Sequence, residues 1–234
     1  MQQYFAKNKS LELEDSDYHH IKNVMRFKKG DIIKVVYDNI VYDCVLTSVN
    51  KTIEFDIKNK NVNDKNIINV DVAFGLIKEQ KQDFLIQKAT ELNVNKLIPI
   101  KMIRSVVKIE SKKEEGKLLR WKKIAKEASE QSFRYNIPEI TGVRKLIDLI
   151  NYDYDLKLLC SLNKNTKNIK KVLQNNNKCV KILLVVGPEG GFDPKEEEQL
   201  IKNGFISVSL GDTVLRSETA CISALSMINY EFGR

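Results

Sequence analysis

Lys181-Ile182-Leu183-Leu184-Val185-Val186 runs directly into Gly187-Pro188-Glu189-Gly190-Gly191-Phe192. Further on, Phe205-Ile206-Ser207-Val208-Ser209-Leu210 gives way to Gly211-Asp212-Thr213-Val214-Leu215-Arg216-Ser217-Glu218-Thr219-Ala220. Each apolar run has the length and branching of a buried strand, and each loop leads into a helical pattern. Glycine-bearing loops at the carboxyl ends of strands let backbone amides approach a ligand. The pair predicts a ligand-binding α/β sheet.

Working outward, the same alternation recurs from residue 67 onward. IINVDVAFGLI reads as a strand, QDFLIQKATELN as a helix with Phe84, Leu85, Ala89 and Leu92 inward, and KLIPIKMI as a strand. Residues 111–132 carry the longest helical pattern, with Leu118, Leu119, Ile124, Ala125 and Ala128 facing the core. LKLLCSL and NIKKVLQN follow as strand and short helix. Asp193, Pro194 and Glu196 read as N-cap, first helical residue and capping-box partner of the next helix, which Gly204 ends. Ser217 is expected to cap the last helix, whose stripe is Ala220, Cys221, Ala224, Leu225 and Ile228. Repeated βα units imply a mostly parallel sheet with helices on both faces.

Residues 1–66 have a different texture. GDIIKVVYDN, IVYDCVLTSVN and TIEFDIKNK are short β-rich segments separated by Asp-Asn and Asn-Lys turns. Asp15-Ser16-Asp17 is expected to cap a short helix through HHIKNVM, and 58–66 to act as a linker.

Composition excludes several classes. No apolar run reaches membrane-spanning length, and the start lacks the basic-then-apolar pattern of a secretory signal, so the expected location is the cytoplasm. Cys44, Cys160, Cys179 and Cys221 are too scattered for a zinc site and read as reduced thiols in strands or helices. His19 and His20 lack further ligand partners, so no metal is expected. The formal net charge of +8 favours a polyanionic partner, although a Lys-rich and Asn-rich chain can carry such a surplus without one. GPEGGF is neither a Walker loop, which needs Gly-Lys-Ser/Thr, nor the GxGxxG dinucleotide turn. Read singly, either loop is better taken as an ordinary tight turn with a helix cap, and it is the two in succession that point to a ligand.

GPEGGF followed by LGDTVLRSETA resembles the RsmE family of ribosomal RNA methyltransferases, of the SPOUT class. The likeness extends over nearly the whole chain: YHHIKNVMRFKKGD near the N-terminus, Lys81 with QKATELNVNKLIP, Arg104-Ser105, and EASEQSFRYNIPEI. It implies a PUA-like RNA-binding β-barrel over 1–66 and a SPOUT domain with a deep trefoil knot over 67–234. It implies S-adenosylmethionine as cofactor, 16S ribosomal RNA of the small subunit as substrate, methylation at uridine N3, and a homodimer. Carried over by motif, the cofactor residues are Leu162, Gly187, Pro188, Glu189, Gly190, Leu210, Gly211, Leu215 and Arg216. Arg104, Arg134 and Glu218 are the catalytic candidates, with Glu218 either a base or part of a helix cap. Lys22, Arg26, Lys28, Lys29, Lys81 and Gln131 are the RNA-binding candidates, open as well to reading as surface charges. The chain departs from the family at Asn93, where Gly often follows Glu-Leu, and at Gln82-Asp83, where Asp-Arg is usual. Two other readings remain: a SPOUT enzyme acting on ribose or transfer RNA, and a catalytically silent RNA-binding protein.

Overall fold

The computed structural model describes residues 1–50, 52–62 and 68–233. The chain divides into two compact units, Met1–Lys65 with Lys126–Ile137, and Asn66–Ala125 with Pro138–Arg234. The boundary expected between residues 66 and 67 lies outside the described residues.

The first unit holds β1 (Gln2–Phe5), α1 (Asp15–His19), a π-helical turn (His20–Val24), β2 (Ile32–Tyr37), β3 (Ile40–Val49) and β4 (Ile53–Val62). The four strands form one sheet in order β1-β2-β3-β4, with β1 parallel to β2 and the other pairs antiparallel. Asp38 and Asn39 join β2 to β3 with φ of 50° and 60°, the left-handed pair that a two-residue hairpin requires. Tyr4, Leu13, Ile21, Ile33, Val35, Cys44 and Leu46 make the core of this unit. The helix start differs from expectation. Glu14, not Asp15-Ser16-Asp17, is the N-cap, and Asp17 completes a reciprocal capping box from the third helical position. The expected linker is also shorter, because residues up to Val62 continue β4, and 63–66 lie outside the described residues.

The second unit contains β5 (Asn69–Gly75), α2 (Glu79–Glu91), β6 (Lys96–Lys101), the helix α3 (Ser111–Gln131), β7 (Glu139–Ile140), β8 (Arg144–Lys145) and β9 (Leu156–Cys160). There follow β10 (Lys167–Asn168), α4 (Ile169–Asn175), β11 (Lys181–Val186), α5 (Pro194–Lys202), β12 (Ile206–Ser209) and α6 (Ser217–Glu231). Residues of α3 from Lys126 onward group with the first unit. The sheet is parallel throughout, in order β10-β12-β9-β11-β5-β6-β7, with β8 also on β6. Strand β11 thus enters between β5 and β9, which precede it in the chain.

The continuous apolar runs have a simple cause. Ile182, Leu184 and Val186 pack with α2, α4 and α6 residues such as Leu85, Leu173 and Leu225, while Leu183 and Val185 pack with Leu200 of α5 on the other face. A strand covered on both faces has no solvent side on which to alternate. Two helical stripes differ from expectation: Phe84 and Leu119 are exposed, while Ile86 and Trp121 are buried. Asn93 explains one departure from the family pattern. It sits at φ 62°, just beyond α2, where the left-handed conformation that ends a helix suits Gly first and Asn second.

All four cysteines are free, although Cys179 lies in the turn before β11 rather than in an element. Burial pushes the Cys44 and Cys160 thiols up to about 12 and raises Cys179 and Cys221 as well, which disfavours the thiolate at each.

One buried polar group pins β5. Asp71 accepts from the Tyr154 hydroxyl at 2.6 Å and from Asn95 Nδ2 at 2.8 Å. Burial first, then the Asp71 hydrogen bond and charge, hold the Tyr154 phenol above its ordinary range. Folding therefore favours the protonated phenol. This contribution is intact below about pH 10, the ordinary tyrosine value, and is lost as pH rises toward the folded-state value. Tyr154→Phe is expected to cost about 1–3 kcal/mol at neutral pH, because a buried carboxylate oxygen loses its donor. Denaturant melts at pH 7 and pH 10.5 check both points, with the wild-type advantage smaller at the higher pH.

Candidate functional site

Strands β12, β9 and β11 are neighbours, so the loops leaving their carboxyl ends emerge side by side. Together they line a cavity of about 830 Å³. Cys160–Asn163 come from the first loop, Val186–Phe192 from the second, and Ser209–Gly211 with Thr213–Ser217 from the third. Arg104 of the loop after β6 and residues of α5 complete the wall. All nine residues expected to hold a cofactor border this space: Leu162, Gly187, Pro188, Glu189, Gly190, Leu210, Gly211, Leu215 and Arg216.

Local chemistry shapes the middle loop. Asp193 caps α5 by accepting from the Lys195 amide at 3.0 Å, with Pro194 as the first helical residue. Glu196 does not close the expected capping box. Its Oε1 accepts from the Ile103 amide at 3.0 Å, fastening the start of α5 to the loop after β6. Arg104 reinforces this seam, with Nη1 donating to the Gly190 carbonyl at 3.4 Å and Nε 3.9 Å from Asp193 Oδ2. Lys81 of α2 pairs with Glu189 at 3.4 Å.

Ser217 also departs from its expected part. Arg216 holds the N-cap position of α6, and the Ser217 hydroxyl donates instead to the Gly187 carbonyl at 2.6 Å, in a buried bond. The first turn of the last helix is thereby tied to the first residue of the middle loop. Gly75, which no motif marked, is the least replaceable glycine beneath the site. A Cβ there would stand 2.6 Å from Pro188 Cδ and 3.1 Å from Met102 Sδ. The cause is a distant packing partner, so local sequence carries no sign of it.

Glu218 is buried and does not line the cavity; its Oε2 has no hydrogen-bond partner. Arg134 belongs to the other unit, buried, with Nη2 donating to Asn136 Oδ1 at 2.9 Å and its carbonyl accepting from Gln3 Nε2 at 2.7 Å. In that same unit Lys22 donates to the Asn50 carbonyl at 2.8 Å, while Arg26, Lys28, Lys29 and Gln131 are exposed. Arg26 has φ 53°. Among the described residues no cluster of His, Cys, Asp and Glu has the makings of a metal site. Nor is any described helix long and apolar enough to cross a membrane.

Residues 63–229 match the RNA methyltransferase domain family, and residues 13–57 match the RNA methyltransferase PUA domain family. This chain belongs to the RNA methyltransferase family. The protein named ribosomal RNA small subunit methyltransferase E in Bacillus subtilis is 36% identical, over 99% of this chain and 97% of its own. The protein of the same name in Mesomycoplasma hyopneumoniae is 35% identical over 97% of this chain and 98% of its own. Among solved structures, the Neisseria gonorrhoeae ribosomal RNA small subunit methyltransferase E bound to S-adenosyl methionine superposes with a TM-score of 0.88. It is 26% identical and covers 98% of this chain and 97% of its own. A Legionella pneumophila methyltransferase in complex with the same cofactor gives 0.88 at 27% identity, over 97% and 96% of the two chains.

Proposed function

We propose that this chain uses S-adenosylmethionine to methylate N3 of a uridine in 16S ribosomal RNA of the small subunit. A methyltransferase acting on small-subunit ribosomal RNA is what its family and full-length relatives support, and the cofactor-bound structures support S-adenosylmethionine. The observation that carries the reading is the convergence of three loops, from adjacent parallel strands, on one cavity.

The cavity fits the cofactor. Its volume lies in the range of small-molecule sites, and glycines at 187, 190 and 211 expose backbone along its wall. Amides and carbonyls of Gly187, Glu189, Gly190 and Gly211 would meet adenine and ribose, with Leu162, Pro188, Leu210 and Leu215 packing on their faces. Arg216, at the helix start, would fix the rim. The bound cofactor supplies a methyl group on a cationic sulfur.

The remaining task falls to protein side chains. Uridine N3 carries a proton and is a poor nucleophile until that proton leaves or charge on the ring is stabilised. Arg104, a cation of the cavity wall along with Lys202 and Arg216, is suited to hold negative charge on the uracil oxygens. Glu218, buried in the first turn of α6 and absent from the cavity wall, is assigned to the helix start rather than to the proton transfer. Arg134 and Gln131 are assigned to orienting the RNA, and Lys22, Arg26, Lys28, Lys29 and Lys81 to its phosphates.

The same reading carries a PUA-like barrel in the first unit, a trefoil knot in the second, a cytoplasmic location and a homodimer. Insertion of β11 between β5 and β9 supports the knot. A groove of about 650 Å³ walled by Ile169, Leu173, Leu210, Met227 and the 88%-exposed Tyr230 supports a second copy against α4 and α6. Sedimentation shows whether the chain is a dimer.

Tritiated cofactor offered with small subunits, free 16S RNA and transfer RNA tests the assignment. Label on a base of 16S RNA, mapped by mass to uridine N3, is the expected result. Label only on transfer RNA or on ribose would overturn it. Arg26→Glu is expected to weaken small-subunit binding and flatten its salt dependence by about one phosphate contact, with cofactor affinity unchanged. An unaltered salt slope would remove Arg26 from the phosphate contacts.

A further inference from the structure

Among the described residues, four α-helices end in a residue in the left-handed conformation, Asn93 after α2, Phe133 after α3, Gly204 after α5 and Gly233 after α6, as the π-helical turn does at Arg26. The α2 and α3 ends are built alike. After α2 the Val94 amide donates to the Ala89 carbonyl and the Asn93 amide to Thr90. After α3 the Arg134 amide donates to Ser129 and the Phe133 amide to Glu130. This motif asks its pivotal residue to adopt positive φ, which Gly does freely and Asn tolerates. Asn93, Gly204 and Gly233 meet that demand. Phe133, at φ 55°, does not, because a bulky side chain there is a genuine outlier.

Packing does not account for the choice. Leu11, another large apolar residue at positive φ, is 5% exposed and belongs to the first unit's core. Phe133 is 46% exposed and belongs to no core cluster. A helix end already supplied with its hydrogen bonds thus carries a strained aromatic turned to solvent. Strain of this kind persists only where the surrounding structure over-determines it, and it clusters at functional sites. The flanking residues narrow what that function is. Phe133 stands between Gln131, exposed on the last turn of α3, and the buried Arg134, within the stretch 63–229 that matches the RNA methyltransferase domain family.

We propose that Phe133 is a stacking platform for an unpaired base of the RNA substrate, acting as a positioning residue and taking no part in the chemistry. Every base has a π-face, so one aromatic ring holds a nucleotide without reading its identity. The exposed Gln131 amide then restricts its orientation. The inference rests on the RNA methyltransferase reading. Methylation of small subunits by the unaltered chain tests that reading separately.

Because strain and stacking act in opposite directions, one substitution separates them. Phe133→Gly is expected to raise the melting temperature, since Gly relieves the positive φ. The same change should raise the KM for small subunits by roughly five- to hundredfold, the range one base–aromatic stack is worth. Affinity for S-adenosylmethionine, measured by calorimetry, should stay unchanged. Phe133→Trp keeps a ring and should hold the KM within about twofold of the starting protein, whereas Phe133→Leu keeps apolar bulk without one and should resemble glycine. An unchanged KM in the glycine variant would overturn the proposal. So would equal KM values for the tryptophan and leucine variants, or a shift from dimer to monomer on sedimentation of the glycine variant, which would make Phe133 a contact between copies of the chain.

Discussion

Lys126→Met is expected to lower stability by about 3–5 kcal/mol, a large share of what holds a domain folded. Lys126 Nζ lies 2.7 Å from Asp17 Oδ1, 2.8 Å from Glu130 Oε1 and 3.8 Å from Glu14 Oε2. Asp17 and Glu130 are both buried, and no other cation is paired with them among the described residues. Burial works to lower the Lys126 pKa, yet hydrogen bonding and charge from Asp17 and Glu130 outweigh it and hold the ammonium above its ordinary value. Glu130 is raised, because burial disfavours its charge more than Lys126 restores it. Removing the cation leaves two buried carboxylates facing each other with only backbone amides, Glu14 on Asp17 and Phe5 on Glu130, to compensate them.

The sign with pH follows from these directions. Without Lys126, the folded state gains by protonating Glu130, whose carboxyl burial already holds above its ordinary range, so the deficit of the variant should shrink as pH falls through the carboxylate range. Adding Glu130→Gln to Lys126→Met removes one stranded charge and should recover part of the loss. Denaturant melts of the three proteins at pH 7 and pH 4.5 decide the matter. A loss below about 1 kcal/mol at pH 7 would class the cluster with ordinary surface pairs.

This cluster also marks where the sequence stops being readable. Lys126 stands in a helix rich in Lys and Glu, and nothing in that pattern separates its half-buried ammonium from its more solvated neighbours. The second unit's strands were readable because burial on both faces makes their apolar runs continuous, as KILLVV shows. Helical faces were less so. Phe84 and Leu119 fit an apolar stripe and are nevertheless exposed, because a stripe gives the period of a helix but not the edge of its partner. The loops of the cavity announced themselves through Gly187, Gly190 and Gly211. Gly75 and Ser217 did not, since the reason for each is a partner far along the chain: Pro188 for the glycine, the Gly187 carbonyl for the hydroxyl. The order in which β9, β11 and β5 lie side by side is likewise a long-range fact. Spacing alone leads to an ordinary unknotted sheet, and only the family resemblance suggested otherwise.

Gly190→Val is expected to weaken S-adenosylmethionine binding on the order of a hundredfold or more while leaving the protein folded. A Cβ at position 190 would stand 3.0 Å from the Arg104 carbonyl oxygen and 3.1 Å from Arg104 Cβ. Backbone on that side yields little, because the Ile103 amide is held by Glu196 and the Arg104 side chain by Gly190 and Asp193. The added methyl groups must therefore displace the 187–192 loop, and that loop is a wall of the cavity. Overpacking of this kind costs about 1–3 kcal/mol. Where the displaced atoms are themselves the binding surface, the cost falls on the ligand, and about 2.7 kcal/mol is already a hundredfold. The fold escapes because Gly190 is exposed and outside the core clusters. Calorimetry with S-adenosylmethionine and a thermal melt of the free protein separate the two effects. Wild-type affinity in the valine variant would show that this loop does not hold the cofactor. A collapse of the melt would show instead that the loop is part of what keeps the sheet folded. Gly190→Ala, with one methyl group in place of the branched pair, should fall between the two proteins in affinity, so that binding declines in step with the bulk pressed against Arg104.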